Sequence, residues 1–294
     1  MKHLHIPPII RAALDKGAAL SISISGGKDS QALLLELVAA YKANGWTGPI
    51  FAVHAHLGRA EWPQTMAHCQ ALCDEAGVAL FIVGRTAGAD LVDRWKERMH
   101  TLAGTGKPFW SSAAQRYCTS DMKRGPIDQL LRKCSLVISA EGVRGDESPN
   151  RAKKPTVAIR PQITAQGLRG LTMEEALSYR SFKQRLALTW YPLHDWTERD
   201  VWQACGTDLD DLRERQALYR LGHEAIALDG WSAHPAYVYG NQRLSCALCI
   251  LGSRNDLQNG AKYNPALYAE LVQMERESGF TFRQDLALAD LEVL

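Results

Sequence analysis

The chain has 294 residues, of which 46% are hydrophobic and 22% charged, with a formal net charge of +2. This is ordinary for a soluble globular protein, long enough for one large α/β domain or a domain with a smaller appendage, and the charge total gives no argument for a nucleic-acid partner. The first residues lack the apolar core of an export signal, and no uncharged run of about 18 residues is available to span a bilayer. Seven cysteines, unevenly spread, read as reduced thiols or ligands rather than a disulfide frame, so a cytoplasmic protein with no membrane partner is expected.

Apolar runs alternate with amphipathic stretches through the first half. LSISIS (20–25) leads into a helix across Ser30–Lys42, where Leu33, Leu34, Leu37 and Val38 recur at helical spacing. IFAVHAHL (50–57) leads to a helix after WPQT, with Pro63 at its first turn. ALFIVGR (79–85) precedes the helical pattern GADLVDRWKERMHTLA, and TSDMKRGPIDQLLRK precedes a fourth apolar run, SLVISAEGVRG (135–145). Strands alternating with helices at this spacing predict parallel strands with crossover helices: an α/β, Rossmann-like, doubly wound sheet with helices on both faces. Ligands collect at the carboxyl ends of such strands near a switch in strand order, which singles out residues 25–30, 56–65, 85–90 and 141–151.

From 146 to 185 the pattern loosens. Arg151, Lys153, Lys154, Arg160, Arg169, Arg180, Lys183 and Arg185 face only Asp146, Glu147, Glu174 and Glu175. The segment reads either as a basic, partly mobile connection covering the site or as a solvated loop. A strand candidate, LALTWYPL (186–193), is followed by a helix opened by DWTERDVWQAC, with Thr197 and Asp200 at capping-box spacing. After Tyr263 the tail reads as amphipathic helix. The expected division is a nucleotide-binding α/β domain over 1–195 and a mostly helical, cysteine-bearing region over 196–294.

The turn SGGKDS (25–30) joins the first strand to its helix. A Walker loop would need a glycine at Ile22 and a hydroxyl residue at Asp29, so it is excluded by spacing. Gly26 and Gly27 permit close backbone approach, Ser25 and Ser30 add hydroxyls, and the helix start offers free amides to an anion. Asp29 suits such a cradle if it caps the helix or meets a magnesium ion carried by phosphates.

With its neighbours, this turn resembles the PP-loop of the ATP pyrophosphatases, and within them the phosphoadenosine phosphosulfate reductase family. HLGRAEWPQT (56–65), RYCTSDMKRGPI (116–127), GVRGDESPNR (142–151), YPLHDWTERDVW (191–202) and YGNQRLSCALC (239–249) are similar to that family's later motifs, in order, over about residues 18–260. The resemblance implies a nucleotide site of Ser25, Gly26, Gly27, Asp29, Ser30, His56, Gly142, Arg144 and Arg151, and a catalytic set of Lys28, Asp29, Lys123 and Arg144. His56 departs from the acid usual there and becomes the candidate adenosine contact. Family members bind ATP, with Mg2+, or an adenosine phosphosulfate. The ATP users attack the α-phosphate, adenylate an acceptor and release pyrophosphate.

Cys246-Ala-Leu-Cys249 on its own is open to a redox pair, half a zinc site or part of an iron–sulfur site. The resemblance implies that Cys118, Cys246 and Cys249 share a [4Fe–4S] cluster, although Tyr117 stands where cluster-bearing adenylylsulfate reductases carry a second cysteine. Three thiolates either abolish the cluster or leave one iron open to sulfide. The reductases' C-terminal cysteine has no counterpart in SGFTFRQDLALADLEVL, which disfavours their usual mechanism. Cys69, Cys73, Cys134 and Cys205 read as small buried residues, as do His54, His194, His223 and His234 as structural histidines and Trp196 and Trp202 as core. Tyr237 and Tyr239, beside Arg243, suit stacking on a base or plain packing. The expected function is ATP α-phosphate cleavage coupled to sulfur transfer to a nucleic-acid or small-molecule acceptor. The alternatives are a sulfonucleotide reductase and a non-catalytic nucleotide-binding sensor or accessory subunit.

Overall fold

The computed structural model describes residues 2–85 and 89–292, so the expected ligand stretch 85–90 falls partly outside the described residues. Six strands are present: β1 (Ala19–Ser23), β2 (Ile50–Ala55), β3 (Ala79–Val83), β4 (Leu136–Ala140), β5 (Val157–Ile159) and β6 (Leu186–Trp190). They form one sheet in the order β3-β2-β1-β4-β6-β5. β1 pairs in parallel with both β2 and β4, β4 with β6 in parallel, and β5 runs antiparallel to β6. The expected Rossmann-like, mainly parallel α/β sheet is what the chain forms. β4 and β6 are buried at every residue, the signature of parallel strands covered on both faces. Each such Leu or Ile taken from water contributes about 1.5–3 kcal/mol.

Chain proximity groups the protein into two interleaved units: one of residues 1–54, 66–82 and 127–212, the other of 55–65, 83–126 and 213–294. The expected division was linear, at residue 195. In the observed grouping the helix Glu198–Ala204 goes with the sheet, and the segments 55–65 and 83–126 go with the cysteine-bearing region.

Within the sheet unit, the helix Lys28–Ala43 follows β1 and buries Leu33, Leu34, Leu37 and Val38, as their spacing predicts. The next helix starts at Thr65, two residues after Pro63, because the Thr65 amide closes a turn on the Trp62 carbonyl first. Thr197 and Asp200 form a full capping box on Glu198–Ala204. The basic stretch 146–185 is built into the fold: it carries β5 and the helix Met173–Tyr179. Its Arg160 is buried, donating to Asp128 and Glu141 at 2.7 Å each.

Half-buried His68 lies on the helix Thr65–Ala76, and loss of hydration pushes its imidazole down to about 4. The unfolded chain then binds the extra proton below its own value of about 6.5, so His68 favours folding fully above that pH and progressively less down to about 4. In urea melts, His68→Gln is expected to narrow the stability gap between pH 7 and pH 4 by on the order of 2 kcal/mol after solvent screening. An unchanged gap would refute this assignment.

The second unit has its own aromatic core, in which Trp95 meets Trp110 edge-on at 5.5 Å and Trp110 meets Phe282 at 5.0 Å. Met122, Ala247 and Leu248 belong to the same core.

Candidate functional site

The strand order reverses between β1 and β4, and the turn Ser25–Ser30 leaves the carboxyl end of β1 there. Gly26 has φ of +78°, a conformation that a side chain strains against. Gly27 caps the helix Lys28–Ala43 through its backbone, with no side-chain cap, so first-turn amides face a prospective anion. The two serines divide the work. The Ser30 hydroxyl donates to the Gly27 carbonyl at 2.8 Å and accepts from the Ser25 amide at 3.1 Å, bracing the turn from inside. The exposed Ser25 hydroxyl, 3.4 Å from that of Ser30, faces outward.

β4 supplies the opposite lip. A Cβ on Gly142 would lie 2.9 Å from the Asp29 carbonyl oxygen and 3.3 Å from the Ser30 nitrogen, so only glycine lets this backbone pass so close. Two residues on, buried Arg144 donates through Nε to Asp29 and through Nη1 to both oxygens of Asp146, at 2.7 and 2.6 Å. Asp29 therefore pairs with arginine rather than capping its helix. The pair lowers the repulsion that a carboxylate beside phosphate oxygens would otherwise exert.

The remaining predicted residues are placed as follows. Lys28 is buried, with Nζ 3.3 Å from Glu198, 3.8 Å from Asp29 and 5.6 Å over the Trp202 ring. Its ammonium thus ties the turn's helix to Glu198–Ala204, a tertiary pairing that no local signal foretold. Arg151 stands on the short helix Pro149–Ala152 and pairs with Glu147. His56, half exposed after β2, has Nδ1 2.9 Å from Glu61. Buried His54 meets the Ile24 carbonyl at 3.0 Å, and His234 meets Thr65 at 3.2 Å, both structural roles. Trp196 and Trp202 are core residues. Packing also accounts for the tyrosines: Tyr237 is buried, and Tyr239 stacks on Tyr263 at 4.4 Å.

The second unit gathers the cysteines. Ala247 and Leu248 are core residues, so the C-x-x-C is pinned by its middle pair. The Ala247 amide donates to the Ala60 carbonyl at 2.8 Å, and Gly260 lies so close to the Ala247 backbone that a Cβ there would sit 1.8 Å from its oxygen. The Cys246 thiol hydrogen-bonds Cys249, which pushes Cys246 up and holds Cys249 low. The Lys123 cation lowers both, and Cys118 is close enough to raise Cys246. Lys123 thus stands with the cysteines. It lies on the single π-helical turn Ser120–Arg124 that follows Cys118, a distortion frequent at functional sites. By contrast, Cys69, Cys73 and Cys205 are buried small residues, and burial pushes Cys73 up to about 11 and Cys205 to about 12.

A parallel sheet with a glycine and hydroxyl turn at its switch point defines a Rossmann-like α/β protein with a phosphate-type cradle. The chain belongs to the phosphoadenosine phosphosulfate reductase domain family, whose sequence description matches residues 19–213. A curated relative, tRNA(Ile)-lysidine synthase of Pseudomonas putida KT2440, is 41% identical over 66 residues, spanning 21% of this chain and only 14% of that protein. Among solved structures, phosphoadenylyl-sulfate reductase from Candida auris aligns over 67% of this chain and 76% of its own, at 13% identity and a TM-score of 0.42. The U34-tRNA thiolase NcsA from Methanococcus maripaludis, solved with its [4Fe–4S] cluster, aligns over 90% and 69%, at 14% identity and a TM-score of 0.41.

Proposed function

We propose that the protein is a PP-loop enzyme that binds an adenine nucleotide on the turn Ser25–Ser30 and cleaves ATP at its α-phosphate. An acceptor oxygen forms a bond to the α-phosphorus, the α–β anhydride bond breaks, and its electron pair leaves on pyrophosphate. A sulfide-level donor would then form the bond from sulfur to the acceptor carbon as the carbon–oxygen bond breaks and its electron pair leaves on AMP. The observation that carries this reading is the braced, side-chain-poor cradle at the β1/β4 switch point, with its one carboxylate, Asp29, held by Arg144.

Such chemistry needs alignment and charge neutralisation more than a protein nucleophile. The turn amides and the Ser25 hydroxyl would hold phosphate oxygens. Arg144 fixes Asp29, whose partly exposed carboxylate suits Mg2+ arriving with the nucleotide. Gly142 and Arg151 complete the proposed nucleotide set within the sheet unit, while His56 belongs to the other unit.

Cys118, Cys246 and Cys249 would hold a [4Fe–4S] cluster. Their donor set fits in its chemistry, being three thiols electrostatically linked beside Lys123, which offsets thiolate charge. A cluster held by three thiolates supplies an iron open to a sulfur ligand. Lys123 draws Cys246 and Cys249 toward their ligating form, and the core anchoring of Ala247 and Leu248 fixes the spacing of that pair.

The family match favours a second reading, reduction of adenylylsulfate or its 3′-phosphate. Product analysis with each nucleotide separates the two. Pyrophosphate from ATP is the expected result, and sulfite from adenylylsulfate with a thiol donor would support the second reading instead.

A further inference from the structure

A cavity of about 580 Å³ opens in the second unit, lined by Arg98, Arg116 and Arg124 together with Tyr117, Thr119 and Ser120. The two residues flanking Cys118 in sequence are thus part of its wall. Among the described residues, none of the three arginines has a carboxylate within ion-pair distance. The acids nearby in the unit are committed elsewhere: Asp121 to Arg94 at 2.9 Å, and Glu97 to Arg85 at 2.7 Å. Arg98 is held with its guanidinium 4.5 Å over the Tyr117 ring, and its Nε is buried without a hydrogen-bond partner.

Three uncompensated cations around one cavity repel one another, and a buried donor left unmade is costly. Both costs are relieved by an anion. Guanidinium forks match phosphate oxygens bidentately, and the Thr119 and Ser120 hydroxyls add neutral donors.

We propose that this cavity binds backbone phosphates of a nucleic acid, which makes the acceptor a nucleic acid. The three arginines line one depression that is open to solvent, which suits a stretch of phosphodiester chain rather than an enclosed small anion. The nucleotide substrate already has its own cradle in the sheet unit, so a second phosphate site is left for the acceptor. The identification of the ligand as the acceptor rests on the adenylation reading above; the binding does not.

The test is the anisotropy of a fluorescein-labelled single-stranded RNA titrated with the full chain across a range of salt. Arg116→Gln/Arg124→Gln, both exposed positions, is expected to weaken binding at least tenfold at low salt. It should also flatten the slope of log affinity against log salt by roughly 1.4, about 0.7 for each lost contact. Arg98→Gln should weaken binding too, while Lys183→Gln/Arg185→Gln, removing equal charge from the sheet unit, should change it little. Equal loss in that control, or no loss in the arginine variants, overturns the proposal. So does an RNA that fails to bind while pyrophosphate stabilises the wild type but not Arg116→Gln/Arg124→Gln, because the cavity is then a free-phosphate site. RNA binding that depends on these arginines, with no pyrophosphate formed from ATP, upholds the cavity and overturns only the adenylation reading.

Discussion

Gly142→Ala is expected to lower the rate of ATP cleavage on the order of tenfold while leaving the protein folded. The added methyl would lie 2.9 Å from the Asp29 carbonyl oxygen and 3.1 Å from its carbon, both backbone atoms that no rotamer change can move aside. The turn must therefore shift by some tenths of an ångström, and a site that works by alignment is sensitive to a displacement of that size. Gly142 has no positive φ, so alanine strains nothing by itself. Circular dichroism and melting should change little, whereas nucleotide affinity and turnover both fall. A variant with wild-type turnover would show that the cradle is not where the nucleotide reacts.

The second large effect concerns the thiols. Purified without oxygen, the wild type is expected to be brown, with broad absorbance near about 400 nm from a thiolate-bound iron–sulfur cluster. Cys246→Ala should remove the colour together with bound iron and sulfide, because it deletes one of three ligands and the hydrogen bond that holds Cys249 low. Cys118→Ala should do the same. Cys69→Ala, at a buried position, should keep the colour. A colourless wild type that carries zinc would contradict the cluster.

Much of the fold was legible because strands covered on both faces, such as β4 and β6, read as continuous apolar runs. IFAVHAHL, ALFIVGR, SLVISA and LALTW each contain an observed strand, and LSISIS overlaps β1 from its second residue, although β3 itself is largely exposed. β5 was missed because it is three residues long, antiparallel at the sheet edge, and embedded in a basic stretch. The same stretch misled in another way. Arg160 looks like one more surface cation, yet its partners Asp128 and Glu141 lie 32 and 19 residues away and make it a buried ion pair.

In the candidate site, the turn was legible from spacing alone, as Ile22 and Asp29 exclude a Walker loop and glycines with hydroxyls remain. The direction of each side chain was not. Lys28, in the catalytic set that the resemblance implies, has its ammonium paired with Glu198 and over the Trp202 ring, a placement that no local pattern gives. Asp29 read as a helix cap or a magnesium contact, and the pairing with Arg144 that holds it gave no signal in the sequence. The three arginines of the cavity carried no sequence signal, because Arg98 lies far from Arg116 and Arg124 in the chain.

The most direct test of the whole account follows the fate of the α-phosphate. With ATP labelled at that phosphorus, Mg2+ and a total RNA pool under anaerobic conditions, the account predicts labelled AMP and one pyrophosphate for each ATP consumed. Labelled ADP with inorganic phosphate would contradict it.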